Sequence, residues 1–443
     1  MRILLVQPKM TRRPMDSGLK SKMSPSLALL TLKALTPAQH SVVIINENVQ
    51  RINFAQHADL VAITITVDVL PRASAIAAEF QRRGVPVVAG GIHISADPDS
   101  AAGLFDSVCI GRAEATWPAL LTDYAAGELK PRYVDDLVDR EIRPPDHSAP
   151  DRAYIYPNVL AASRGCPFRC DFCYNSSPGS TPFIARPVDE VVLEVRALGR
   201  RHVLFVDDNF IGNPRRTAEL LTALLPLHIK WSAAVSANIV DHPDLLDLMV
   251  ASGCQSLFIG FETLNQAAIT AMHKRQNHTD RYAEVVDQLH RRGIMVNASI
   301  VFGLDDDDAN VFERTLTWMR AHRVETVTAH ILTPYPGTAL YRFLADAGRI
   351  SDTDLGHYDT AHVVFSPAKM TKEQLQFGYE QFYKDFYSWR SIMARQPHDA
   401  ARRRAYLFFA IAYRKLGWIT EFISHIIPLK TMGWFAAKFS YGL

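Results

Sequence analysis

The feature that most limits what this chain can become is a rhythm that occurs twice: short apolar runs of strand length, separated by helical stretches. In the first 130 residues the runs fall at 2–7, 41–46, 60–65, 85–91 and 105–111, with helices expected over 26–35 and 72–83. Runs separated by helices are joined by crossovers and lie parallel, so the expected fold class is α/β. An open, doubly wound sheet of this kind binds ligands beyond the carboxyl ends of its strands. Gly90 and Gly91 directly follow the fourth run and Gly111 ends the fifth. Glycine there admits a ligand close to the backbone, or merely makes a tight turn. Residues 131–157 are rich in proline and charge and read as a linker. The rhythm resumes over 158–345, with strands expected at 159–163, 202–206, 229–235, 256–260, 296–302 and 325–331 and a helix at 189–198. From 346 to 443 the pattern turns helical and dense in aromatic residues.

Three of the five cysteines, Cys166, Cys170 and Cys173, sit in one loop after the first strand of the second series, spaced C-x3-C-x2-C. Cys109 and Cys254 are far away in sequence. Three thiolates leave one iron of a cubane cluster without a protein ligand, and a small molecule can be bound and reduced at that open corner. Structural zinc wants a fourth ligand, and four-cysteine ferredoxin runs use other spacings. An iron–sulfur cluster is therefore the reading of these residues. A zinc knuckle completed by a distant His or Cys, or three unrelated buried thiols, is the alternative.

The run from Ser163-Arg164-Gly165-Cys166-Pro167 to Cys173-Tyr174-Asn175 resembles the signature of the radical S-adenosylmethionine (SAM) superfamily. That resemblance implies a partial six-stranded (β/α) barrel over 158–345. It also implies a 4Fe-4S cluster on the three cysteines whose open iron chelates SAM, and one-electron cleavage of SAM to a 5′-deoxyadenosyl radical. Phe172 would pack beside the cluster and the backbone near Tyr174 would meet adenine. Asp207 and Asp208 stand where the family holds the amino end of SAM, although two adjacent acids equally suit a helix cap. Gly260-Phe261-Glu262-Thr263 resembles a family element that makes Glu262 a ribose or methionine contact, the alternative being a surface turn acid. Ser236, Asn238, Asn297 and Ser299 are weaker SAM candidates. The acidic run 305–308 reads as a solvated loop. Tyr335, between two prolines, is a pocket candidate, or part of a rigid turn.

The first 130 residues resemble the Rossmann-like cobalamin-binding domain that precedes the barrel in one subclass of that superfamily. The matching segments imply Thr64, Thr66, Gly90, Gly91, His93, Gly111 and Glu114 as cobalamin contacts. The Asp-x-His-x-x-Gly motif that brings histidine to cobalt in many cobalamin proteins is absent, and the loop after the first strand runs from Lys9 to Gly18 instead. The expectation is cobalamin bound without a protein lower ligand, with His93 a loop residue. The subclass resemblance implies methylation of an unactivated carbon, with oxidative ring formation on a tetrapyrrole as the alternative. A metal-binding sensor module is the non-enzymatic reading.

An apolar content of 48% against 21% charged residues suits a globular chain with an ample core. A formal charge of +2, with no basic stripe interleaved with aromatics, gives no sign of nucleic acid. Sparse, clustered cysteine fits a reducing compartment, and a cytoplasmic enzyme is expected. The resemblance also implies an electron donor such as flavodoxin or ferredoxin. Phe377, Tyr379, Phe382, Tyr383, Phe386, Tyr387 and Trp389 recur at helical spacings, which is a core stripe by default and a contact for a flat, greasy substrate otherwise. The basic, apolar tail with Phe408, Phe409, Trp418, Phe422, Trp434 and Phe435 suits either a packed cap or peripheral membrane contact. A hydrophobic small-molecule substrate is the expectation.

Overall fold

The computed structural model describes every residue except 12, 14–18, 137–140, 149–153, 157, 200–201, 425–426, 428–430 and 433–443. Trp434 and Phe435, most of the first loop from Lys9 to Gly18, and part of the proline-rich linker lie outside the described residues.

The first sheet contains β1 (Arg2–Gln7), β2 (Ser41–Asn46), β3 (Leu60–Thr64), β4 (Val87–Gly90), β5 (Ser107–Ile110) and β6 (Arg132–Val134). Their order is β2-β1-β3-β4-β5-β6, parallel throughout. The sequence predicts five strands. The sixth comes from the stretch read as linker, where Val108, Cys109 and Ile110 pair with Arg132, Tyr133 and Val134. Tyr133 hides this strand from a composition argument, because it is the one buried residue of the three. Ile3 and Leu5 pack on α1 (Leu27–Leu35) and on the helix Ala113–Ala126, whereas Leu4 and Val6 pack on α2 (Leu70–Gln81). Alternation along β1 thus feeds two cores, one on each face of the sheet.

The second sheet runs β14-β13-β12-β11-β10-β7, also parallel. Here β7 is Val159–Leu160, β8 Ser163–Arg164, β9 Ile184–Ala185, β10 His202–Phe205, β11 Lys230–Ser236, β12 Cys254–Glu262, β13 Met295–Phe302 and β14 Thr326–Ile331. One register row, Val235–Ile259–Ala298–Val327, is almost wholly buried against the surrounding helices. The neighbouring row, Ser236–Gly260–Ser299–Thr328, is small and polar and faces the lumen. Pleat alternation therefore puts grease outside and hydroxyls inside a partial barrel.

An open sheet leaves an edge, and β14 is that edge. The aromatic helix Lys372–Phe386 closes it. Tyr383 Oη accepts from Ala329 N (2.8 Å) and donates to Ala329 O (3.1 Å), while Tyr387 Oη lies 3.4 Å from both Val327 N and Val327 O. Ile331 N is taken by the Thr360 carbonyl (2.8 Å). Alternate backbone groups of the edge strand thus find partners from one helix and one turn.

Candidate functional site

Strands β8 and β9 form a two-stranded antiparallel clip whose connection carries the three thiols. Within it Cys173 N donates to Cys170 O (3.0 Å) and Ser176 N to Cys173 O (3.0 Å), which turns the loop back on itself. Burial pushes all three thiols above their ordinary value, Cys173 to about 12, and the nearby Asp208 carboxylate adds to this at Cys166 and Cys173. Lys274 works in the other direction at Cys166 and Cys170. Three thiolates can be held here only with compensating positive charge, which an iron–sulfur cluster supplies. Phe172 packs on the barrel core with the Lys274 ammonium 5.8 Å from its ring centroid.

Glu262 ends β12 in the left-handed region, at φ 64°, where the register with β13 shifts. A non-glycine residue there is strained, and strain of this kind is kept where surroundings over-determine it. The cause is a buried ion pair: Lys274 Nζ reaches Glu262 Oε1 at 2.5 Å, with both side chains under a tenth exposed. Burial alone would lower the lysine, but Glu262 and the Cys170 and Cys173 sulfurs hold it above its ordinary value. Glu262 is therefore an interior carboxylate and not a surface turn acid.

The two aspartates after β10 part company. Asp207 is buried and accepts from Ser163 Oγ (2.5 Å) and Ala162 N (3.1 Å), so it braces the strand entering the cysteine loop. Burial raises its carboxyl to about 6. Asp208 is exposed and lines the cavity described below. Neither caps the next helix; Asn213 does, accepting from Arg216 N. Ser236 Oγ donates to Asn238 Oδ1 (2.5 Å) and takes a bond from Asn209 Nδ2 (3.1 Å), so this polar group is already ordered at the end of β11. Asn297 accepts from Thr328 Oγ1 (3.2 Å), and Ser299 is buried two register rows further on, on the same face. In the acidic run, Asp307 is buried and accepts from Gly303 N and Leu304 N, while Asp305, Asp306 and Asp308 pair with Arg349, Lys369 and Arg314. The run is the solvated loop expected at Asp305, Asp306 and Asp308, while Asp307 turns inward and caps the end of β13.

A cavity of about 330 Å³ opens beyond the carboxyl ends of β3, β4 and β5. Thr64, Gly90, Gly91 and Gly111 line it, as expected, with Ala28, Thr31 and Trp117 at its sides. Its opposite wall is the cysteine loop, through Arg164, Gly165, Tyr174 and Asn175. Gly91 (φ 113°) admits no side chain, since a Cβ would stand 2.7 Å from Ile65 N and O.

Three expected cobalamin contacts lie elsewhere. Thr66 is exposed and donates to Asp68 Oδ1 (2.7 Å). Glu114 is paired with Arg164 (2.7 Å), and it is the arginine that reaches the cavity. His93 is fully buried on the short helix Ile92–Ala96, with Nε2 3.0 Å from Ser100 Oγ and Nδ1 3.4 Å from Tyr174 Oη. Burial lowers its pKa to about 4, so it is a neutral strut. Among the described residues no histidine lines the cavity. Tyr174 in turn stacks on Tyr335, with centroids 4.6 Å apart and planes at 19°. Burial pushes both phenols far above their ordinary value. Arg13 acts against this rise at Tyr335, whereas Asp68, Asp359 and the Cys173 sulfur add to it.

Reasoning from sequence missed Lys274, Gln276, whose Nε2 lies 3.8 Å from Cys170 Sγ, and Arg164. Lys274 and Gln276 belong to a polar stretch after a short helix that carries no periodic or motif signal. Arg164 was in view beside Cys166, but only the fold shows that it turns towards the other sheet.

The Radical SAM superfamily pattern matches residues 160–319. Bacteriochlorophyllide d C-12(1)-methyltransferase of Chlorobaculum tepidum is 31% identical over 409 residues, covering 88% of this chain and 88% of that protein. Bacteriochlorophyllide d C-8(2)-methyltransferase of the same organism is 28% identical, covering 90% and 94%. Among solved structures, the radical S-adenosylmethionine methyltransferase TsrM of Kitasatospora setae, with cobalamin and a [4Fe-4S] cluster bound, superposes with a TM-score of 0.67. That match spans 99% of each chain at 16% identity, which establishes the shared fold.

Proposed function

The chain belongs to the radical SAM superfamily, and from that premise we propose that it is a cobalamin-dependent methyltransferase acting on a carbon of a tetrapyrrole. One observation carries the reading: the cavity beyond the first sheet shares a wall with the cysteine loop, so the two cofactor seats face each other. The residues fit both groups. Cys166, Cys170 and Cys173 would hold a [4Fe-4S] cluster beside the buried Lys274 cation. Asp208 and Glu262 are the carboxylates available to SAM, with Asn238, Asn297 and Ser299 near its ribose. The glycine-floored cavity would take cobalamin, and among the described residues no histidine lines it.

The cluster with SAM supplies hydrogen abstraction from an unactivated carbon, and cobalamin supplies the methyl group. The chain's own residues do the rest. Asp207 fixes the approach of the cysteine loop, the Glu262–Lys274 pair keeps charge balanced at its base, and Tyr174, stacked on Tyr335, walls the cavity against water. The relation to two bacteriochlorophyllide methyltransferases along nearly the whole chain supports the substrate class. An electron enters from a flavodoxin or ferredoxin in this reading. Incubation of anaerobically reconstituted protein with cobalamin, SAM, reductant and a bacteriochlorophyllide, followed by mass analysis, tests it. One added methyl group per turnover supports the proposal, and unchanged mass with SAM consumed refutes methyl transfer.

Among the described residues no helix is long and apolar enough to cross a membrane. Trp389, Met393, Phe422 and Ile423 are nevertheless exposed, and the Lys415 ammonium lies 5.7 Å from the Trp389 ring centroid. That mixture supports peripheral contact with an anionic bilayer. Co-sedimentation with anionic but not neutral vesicles is the expected result, and recovery in the supernatant of both would remove the idea.

A further inference from the structure

The lumen row of β14 ends in His330, whose position in the register places it on the same face as Thr328, Ser299 and Asn297. Its side chain is partly buried on this lumen face of the partial barrel. Its Nδ1 is held 3.0 Å from Thr360 Oγ1, and Arg13 Nη1 donates to the same oxygen at 2.6 Å. Thr360 adopts φ 69°, a costly conformation for a β-branched residue, and its carbonyl is fixed by Ile331 N. The imidazole is thus aimed by a strained, doubly tethered turn. Among the described residues its Nε2 has no hydrogen-bond partner, and in the tautomer in which Nδ1–H donates to Thr360 Oγ1 it carries a free lone pair. Burial first, and Arg13 second, lower its pKa to about 3, so the ring is neutral at any working pH.

A neutral imidazole with one nitrogen anchored and the other presented is the arrangement metal-binding histidines share. A bacteriochlorophyllide carries a magnesium already bound by four ring nitrogens, with an axial position open. A neutral nitrogen donor fills that position without burying a further charge. We propose that His330 Nε2 is the axial ligand that docks the central magnesium of the substrate macrocycle, with Thr360 as its positioning residue. This rests on the tetrapyrrole reading given above and goes beyond it by naming the contact that orients the ring.

The test titrates the reconstituted, cobalamin-loaded protein anaerobically with chlorophyllide a and with its metal-free counterpart, pheophorbide a, following absorbance. The wild-type protein is expected to prefer the magnesium form about tenfold or more, which corresponds to about 1.4 kcal/mol, and to shift its long-wavelength bands. His330→Ala should bind both pigments equally, at the wild-type affinity for pheophorbide a, and added imidazole should restore the band shift. The retained pheophorbide affinity shows that the variant is folded. Thr360→Val should weaken the preference in part. Equal wild-type affinity for the two pigments, or a preference that survives in His330→Ala, overturns the inference while leaving the substrate class standing. If neither pigment binds the wild-type protein, the tetrapyrrole reading itself falls.

Discussion

Lys274 and Glu262 are the residues on which the charge balance beneath the cysteine loop turns. Removing one partner of a buried ion pair leaves a stranded charge and costs about 3–5 kcal/mol, whereas replacing both by apolar residues is often close to neutral. Lys274→Met is therefore expected to cost that much in chemical denaturation, and the double variant Lys274→Met/Glu262→Leu to recover most of it. A double variant as unstable as the single one would show that packing, not charge, dominates. His93 gives a pH signature. Its folded pKa, about 4, lies below the usual 6.5, so its contribution is complete above pH 6.5 and is lost as pH falls towards 4. The loss is roughly 3 kcal/mol at 1.36 kcal/mol per unit. His93→Gln should flatten the stability profile across that window, and an unchanged slope would remove the assignment. Little of this was legible beforehand. The spacing of Cys166, Cys170 and Cys173 announces itself, but nothing in Asp207-Asp208 says which acid turns inward. Burial decides it, and burial follows from the chain crossing back over Ser163.

At the level of elements, strand and helix positions were readable because parallel strands buried on both faces are continuous apolar runs. The predicted helix over 189–198 is observed at Val188–Ala197, and the strand over 296–302 at Met295–Phe302. The sixth strand of the first sheet was not readable, since three residues with one buried side chain make no period. The aromatic-rich helix was readable as amphipathic only. That its Tyr383 and Tyr387 hydroxyls cap a sheet edge depends on the placement of β14, far away in sequence. Tyr383→Phe leaves both Ala329 N and Ala329 O unpaired at a buried edge and should cost about 1–3 kcal/mol. Phe377→Ala, on the exposed side of the same helix, should stay within about 0.5 kcal/mol. Equal effects of the two in urea unfolding would mean that the hydroxyl does not close the edge.

Across the whole molecule, the two units meet along a seam that includes the short helix Ile92–Ala96, the Arg164–Glu114 pair and the Arg13–Thr360 contact. A side chain at Gly179 would place Cβ 1.8 Å from Ser95 O, and one at Gly337 would place it 2.2 Å from Ala96 O. Both glycines press the second unit against Ile92–Ala96, which carries His93 to Tyr174. Gly179→Val should therefore part the two units, splitting a single calorimetric transition into two. One unchanged transition would deny the seam this role. The cavity depends on the same seam, since its walls come from both units. Sequence alone suggested two ligand-binding halves; that they enclose one site is visible only once Arg164 and Gly90 line the same space. The most direct test of the whole scheme is 5′-deoxyadenosine formation by the reconstituted protein given SAM and a strong reductant. Release of 5′-deoxyadenosine by the wild-type protein, and none by Cys170→Ala that still binds cobalamin, is the expected result. A cluster-loaded wild-type protein that leaves SAM intact would contradict it.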